Sequence, residues 1–111
     1  MSIPVKLEDL PEVMQRYGPN PYLLSVSAQS TPRATSVSVQ WEGSHILAGI
    51  GRRTVANLHT NEDVALLWPP PAAGDYTLIV DGRGTVVEGM GRNVAVRIEP
   101  TSAILHVTQV T

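Results

Sequence analysis

Ala48-Gly49-Ile50-Gly51-Arg52-Arg53-Thr54-Val55-Ala56-Asn57-Leu58 holds the residues of this chain best suited to chemistry. An apolar, strand-like run passes through two glycines, two arginines and a threonine into a short helix-like run. Glycine lets the backbone bend and approach a ligand closely. A helix start offers unpaired N–H groups and the positive end of its dipole. Arginine adds a permanent charge and a forked set of donors that match phosphate. The combination is a candidate phosphate cradle, although an ordinary strand-to-helix turn with two solvated arginines has the same local sequence.

The remaining side chains narrow the chemistry by what they lack. There is no Cys, which excludes disulfides, a thiolate nucleophile and cysteine metal ligands. His45, His59 and His106 lie far apart and without ligand-spaced carboxylates, so each reads as structural or exposed and no metal is expected. No Gly-x-Ser-x-Gly elbow is present. Gly49-Ile50-Gly51 lacks the third glycine of a dinucleotide fingerprint, and Asp81 and Glu88 are not spaced for paired acid–base work. An enzyme built from this chain would leave the reaction to a bound cofactor. A net charge of −2 argues against a nucleic-acid partner, which needs a basic footprint. No apolar run approaches a membrane span, and Met1–Lys6 lacks the build of a signal peptide, so cytoplasmic localisation is the default expectation. With 111 residues the expectation is a single domain over 1–111.

The elements that must position the cradle follow from the spacing of apolar residues. Leu7, Leu10, Val13, Met14 and Tyr17 recur at helix-face intervals. Asp9, Pro11 and Glu12 around its start resemble a capping box, and Gly18-Pro19-Asn20-Pro21 ends the helix. Its apolar stripe is expected to cover the open end of a sheet. Residues 22–28 and 34–41 alternate with period two around a turn at 29–33, which predicts a hairpin. In its second strand Val37, Val39 and Trp41 oppose Ser36, Ser38 and Gln40; in its first, Leu24, Val26 and Ala28 oppose Ser25 and Ser27. The expected result is a face of small hydroxyls, either solvated or able to lie against a flat ring.

Residues 45–50 predict a third strand, 54–59 a short helix and 64–68 a central strand, read from its unbroken apolar run. The prolines of 69–74 make a stiff surface loop. A long strand over 76–87 carries Gly82 and Gly84, which mark a bend or close backbone approach. Gly89-Met90-Gly91-Arg92-Asn93 predicts a tight connection. Residues 94–98 and 103–107 complete the chain, with Glu99-Pro100-Thr101 either kinking one strand or separating two. Six or seven strands and two small helices predict a mainly β fold, a closed or nearly closed antiparallel barrel.

In order and spacing, Gly51-Arg52-Arg53-Thr54, Asn57-Leu58, Val64-Ala65-Leu66-Leu67-Trp68-Pro69 and Val80-Asp81-Gly82 resemble the pyridoxamine 5′-phosphate oxidase-like family of FMN-binding split barrels. They stand where that family has a Gly-Ser-Arg-Lys phosphate loop, a short helix, an apolar strand ending in aromatic-Pro, and a glycine-bearing strand. The resemblance covers residues 22–87. It implies a homodimer with FMN at the interface and a small-molecule substrate. By the same resemblance Arg53 is the phosphate-binding arginine, and Leu47 and Ala48 line the cofactor with their backbone. Gly51, Arg52 and Thr54 complete the phosphate site, Thr77 lies near the ring with Trp68 or Tyr76 nearby, and Arg33 or the segment from Ser36 to Ser38 lies beneath ring or phosphate.

Two departures qualify what the resemblance implies. Thr54 stands where the family has a phosphate-binding lysine, with Arg52 in place of a small hydroxyl residue as a compensating charge. The segment before the last strands is cut to a turn, where longer members carry helices that build a substrate pocket. The expected function is therefore a flavin-binding oxidoreductase-like protein other than a true pyridoxamine-phosphate oxidase. The alternatives are a deazaflavin-dependent reductase, with Arg83 or Arg92 along an extended groove, and a cofactor-free dimeric barrel that binds a ligand or protein.

Overall fold

The computed structural model describes residues 2–87 and 94–107. In chain order these form β1 (Ser2–Val5), a 3-10 turn (Leu7–Asp9), α1 (Leu10–Tyr17), β2 (Tyr22–Val26), β3 (Pro32–Ser36), β4 (Val39–Glu42), β5 (His45–Ile50), α2 (Arg52–Thr60), β6 (Asp63–Trp68), β7 (Thr77–Val87) and β8 (Val94–His106). Eight antiparallel strands thus replace the six or seven expected. The β1 strand has only four residues, too few for a period to register, and exists by pairing with the far end of β8 from Ser2↔His106 to Val5↔Ala103.

The sheet runs β3-β2-β6-β7-β8-β5-β4. Its spine is β8, which pairs with β7 along one edge and with β5 and then β1 along the other. The two ends of the path, β3 and β4, are successive on the chain. The strand expected over 34–41 is therefore two strands, because the chain leaves β2 at Ser36 and joins β5 at Val39. Across the gap the N–H groups of Val37 and Val39 donate to the carbonyls of Pro21 and Pro19, at 3.0 and 2.8 Å. This segment laces the two ends of the sheet together and closes the barrel.

Leu23, Ile46, Leu66, Trp68, Leu78, Val80, Val96 and Ile98 fill the interior, each at most 1% exposed. The outer end is covered by α1, which buries Leu10, Val13 and Met14 in the same core. Asp9 precedes it but makes no side-chain cap hydrogen bond, so the expected capping box is not formed. Two bonds tie the end of the helix to the barrel: the Trp68 indole N–H donates to the Gly18 carbonyl at 2.8 Å, and the Tyr17 hydroxyl to that of Tyr76 at 2.7 Å. Burial, and then the Asp75 carboxylate, hold the Tyr17 hydroxyl proton on above its ordinary range.

One phase of the hairpin is the reverse of that expected. Ser25 is 2% exposed and points inward beside Leu23, while Leu24 and Val26 are only half-buried on the outside. The serine is tolerated inside because the Asn57 amide donates to its hydroxyl at 3.0 Å. In β3 and β4 the expected phase holds: Val37 and Val39 are buried, and Ser36, Ser38 and Gln40 are exposed.

Glu99-Pro100-Thr101 kinks β8 without dividing it. Asp81 pairs with Ser102 but Gly82 pairs with Pro100, so Thr101 is the extra residue of a β-bulge. Its hydroxyl donates to the Asp81 carbonyl at 3.2 Å. A Cβ on Gly82 would sit 2.7 Å from the Glu99 carbonyl oxygen, so the two backbones approach too closely for any side chain. The connection expected over Gly89–Asn93 lies outside the described residues. Gly82→Ala is expected to cost about 2–3 kcal/mol, as overpacking against backbone does. Gly49→Ala, where an added Cβ meets nothing within 4 Å, should stay within about 0.5 kcal/mol of the parent. Urea denaturation of the two variants checks the difference.

Candidate functional site

The core residues Ile46 and Ala48 fix β5 in the barrel wall, and this carries the backbone of Gly49, Ile50 and Gly51 to the rim. Gly51 is extended (φ −95°, ψ −179°) and forms the N-cap of α2 without a side-chain cap bond. The first-turn N–H groups of a helix have no intrahelical acceptor, and here no capping side chain takes one up. Thr54, Asn57 and Leu58 turn inward and hold α2 against the barrel; the Asn57–Ser25 bond is its polar anchor. Arg52 and Arg53 are left on the exposed side of the turn.

Opposite this turn runs β3. A cavity of about 390 Å³ opens between them, lined by Arg33, Thr35, Ser36 and Val37 on one side and by Gly49 through Thr54 on the other. The structure thus brings Arg33, Ser36, Gly51, Arg52, Arg53 and Thr54 together. Thr54 is 2% exposed and closes the cavity floor. Among the described residues no carboxylate lines the space, while Arg33, Arg52 and Arg53 do. Such a lining favours a phosphate-sized anion by charge, forked donors and helix dipole together.

Two further spaces adjoin the first. One, of about 220 Å³, shares Arg33 and Arg53 with it and adds Ser27, Thr31 and Asn57. The other, also about 220 Å³, meets it at Gly49 and is lined by Ser38, Val39, Gln40, Leu47 and Ala48. Ser38, Leu47 and Ala48 therefore sit beside the cradle and not in it. Trp68 and Thr77 line none of the three: Trp68 is a core residue, 1% exposed, and Thr77 is half-buried at the start of β7 opposite His106. Tyr76 is exposed next to it.

Thr35 and Val37 were not singled out as site residues, yet they line the cradle together with Gly49 and Ile50 of the glycine-arginine stretch. The two-residue spacing from Arg33 to Thr35 and Val37 along an extended strand is the signal that places them on one side. Arg83, expected along an extended groove, is instead paired with Glu62 at 3.1 Å and Asp63 at 3.8 Å. Arg92 lies outside the described residues. Among the described residues no group of His, Asp and Glu could hold a metal ion, and no helix is long and apolar enough to cross a membrane.

No protein-family model matches the chain. Two uncharacterized proteins, from Mycobacterium bovis and Mycobacterium tuberculosis, are each 41% identical to it over 59 residues. That match spans 51% of this chain and 42% of each relative, less than half their length. Among solved structures, a candidate pyridoxamine 5′-phosphate oxidase from Listeria innocua superposes with a TM-score of 0.74 at 16% identity, over 90% of this chain and 98% of that one. An F420 reductase superposes at 0.69 and 18% identity, over 91% and 98% of the two chains. A FAD-binding protein from Mesorhizobium loti gives 0.72 at 11% identity, over 95% and 96%. At such identities the shared property is the fold.

Asn57→Ala is expected to lower stability by roughly 1–3 kcal/mol, because it removes the partner of a buried hydroxyl. Loss of protection at the amides of α2 in hydrogen exchange, ahead of those in β7, would accompany it. A variant as stable as the parent would show that the anchor contributes nothing.

Proposed function

We propose that this chain, which has the split-barrel fold of the pyridoxamine 5′-phosphate oxidase-like proteins, binds FMN and acts as a flavin-dependent oxidoreductase on a small molecule. The observation that carries the reading is the carboxylate-free cradle with Arg33, Arg52 and Arg53 around one helix start. The phosphate is assigned to Arg52, Arg53 and the Gly51–Arg53 backbone. Arg52 supplies the positive charge that Thr54 does not. The adjoining space over Leu47 and Ala48 is assigned to the ring, with Ser38 at its edge. When bound, the flavin supplies the hydride or electron transfer, and the chain's own residues bind and orient it. Six residues separate the end of β7 at Val87 from the start of β8 at Val94, a shorter link than longer family members carry, so pyridoxamine-phosphate oxidation is not the assigned reaction.

A second reading, a deazaflavin in place of FMN, is favoured by the smaller space that shares Arg33 and Arg53. It continues the positive wall past the phosphate site and suits a cofactor whose tail bears a second anionic group. The double variant Arg52→Gln/Arg53→Gln should reduce FMN affinity at least about a hundredfold, the loss of two charge-assisted phosphate contacts. Equilibrium titration followed by flavin absorbance and fluorescence measures it; undiminished binding would overturn the assignment. Tenfold tighter binding of the deazaflavin to the parent chain would replace FMN with it, and no binding of either would leave a cofactor-free ligand-binding barrel.

The outer face of the sheet supports a homodimer. Tyr22, Leu67, Ile79, Ile104 and Pro4 stand directly opposite one another across β2, β6, β7, β8 and β1. This makes one apolar row on the outside of the barrel, with Tyr22 45% exposed at its end. A second copy of the chain is assigned to cover it, and Thr77, on the same strand as Ile79, would then approach the partner's ring. Ile79→Glu should convert a dimer to a monomer in sedimentation analysis while circular dichroism is retained; a parent chain that is already monomeric would sink the idea.

A further inference from the structure

One open groove has no part in the cofactor site. Between α1 and β4 lies a cavity of about 380 Å³, walled by Met14, Gln15, Pro19, Val39, Gln40 and Trp41. Among the described residues no charged side chain lines it, in contrast to the three arginines of the cradle. It is also not isolated. Val39 and Gln40 wall both this cavity and the space over Leu47 and Ala48, which in turn meets the cradle at Gly49. Three compartments therefore follow one another along β4 and β5: cationic, then mostly backbone, then apolar and uncharged.

Trp41 divides this cavity from another of about 360 Å³ bounded by Leu7, Glu8, Glu99 and Pro100. Its indole N–H is buried and, among the described residues, is the one buried side-chain polar atom without a partner. The N–H of Trp68, by contrast, is held by Gly18 at 2.8 Å. An unpaired buried donor is costly, so the Trp41 ring lacks the tether that fixes Trp68 and has an unmet need for an acceptor.

We infer that the cavity between α1 and β4 is the substrate pocket of the site proposed above, and that it takes a neutral, planar, mainly apolar molecule with a carbonyl-type acceptor at its edge. The inference rests on that cofactor reading for its role, though not for its existence as a site. An anion would find no compensating charge in the wall and would lose its hydration uncompensated. The face of Trp41 and the thioether of Met14 suit a flat ring. The amides of Gln15 and Gln40 supply neutral hydrogen bonds. The volume suits a small molecule of two fused rings and is too small for a folded peptide.

The chain has two tryptophans, so incorporation of fluorotryptophan gives two fluorine NMR signals, assigned with Trp41→Phe. Titration with indanone, a neutral bicyclic ketone, is expected to shift the Trp41 signal and leave that of Trp68 in place. An indanone carboxylate should bind at least about tenfold more weakly. Gln15→Phe, which fills the cavity from the exposed side of α1, should weaken indanone at least about tenfold. The double arginine variant should leave the indanone titration unchanged even where it abolishes flavin binding. Equal binding of the two ketones, equal shifts of both tryptophans or no shift at all would overturn the pocket. A selective Trp41 shift in a chain that binds no flavin or deazaflavin would instead overturn its role as the cofactor's substrate pocket, and with it the cofactor reading, while the site stands.

Discussion

The full-length pairing of β7 with β8 is the constraint on which the rest of this barrel depends. With its second edge shared by β5 and β1, β8 links the β3-β2-β6-β7 arm of the sheet to the β5-β4 arm through its own hydrogen bonds. A strand of 13 residues can do this only if it bends, and the bend is built from Thr101 as the extra residue and Gly82 as the partner without a side chain. The position of β5, and hence of the Gly49–Gly51 rim that it delivers, is inherited from the segment of β8 that precedes this bend.

Local charge at the cradle is decoupled from the charge of the molecule. The chain is net acidic, yet its three clustered arginines meet no carboxylate in the cavity wall, while Glu62 and Asp63 are spent on Arg83 at another edge. Exposed pairs such as these contribute little to stability. Their consequence is selective: they neutralise one arginine and leave the others for a ligand. The buried side of α2 is also partly polar. Asn57 and Ser25 satisfy each other inside the barrel and so fix α2, whose first turn forms one edge of the cradle.

Much of the framework was legible in the sequence. The residues of α1, β5, β6 and β7 announced themselves by period and by flanking Gly, Pro and Asn, because those signals are local. The gathering of Gly51, Arg52, Arg53 and Thr54 at one strand-to-helix turn was legible for the same reason. The inward turn of Ser25 was not, since a serine faces a core only when a distant amide is there to receive it. Nor was β1, whose only reason to be a strand is an edge of β8 left free a hundred residues away. Trp68 and Thr77 read as neighbours of the site from their place in a pattern, but burial put the tryptophan in the core, and neither lines the cradle within one chain.

By itself, then, the sequence determined most of the elements, the mainly β class and the cationic turn at the start of α2, because short-range periodicity, the φ restrictions of Pro and Gly and fixed arginine charge act within a few residues. Only the tertiary structure decided which strands share an edge, which face of β2 is inside, which arginines remain unpaired and which cavities adjoin. Those outcomes depend on contacts between residues far apart in the chain, where pairing and burial override local preference.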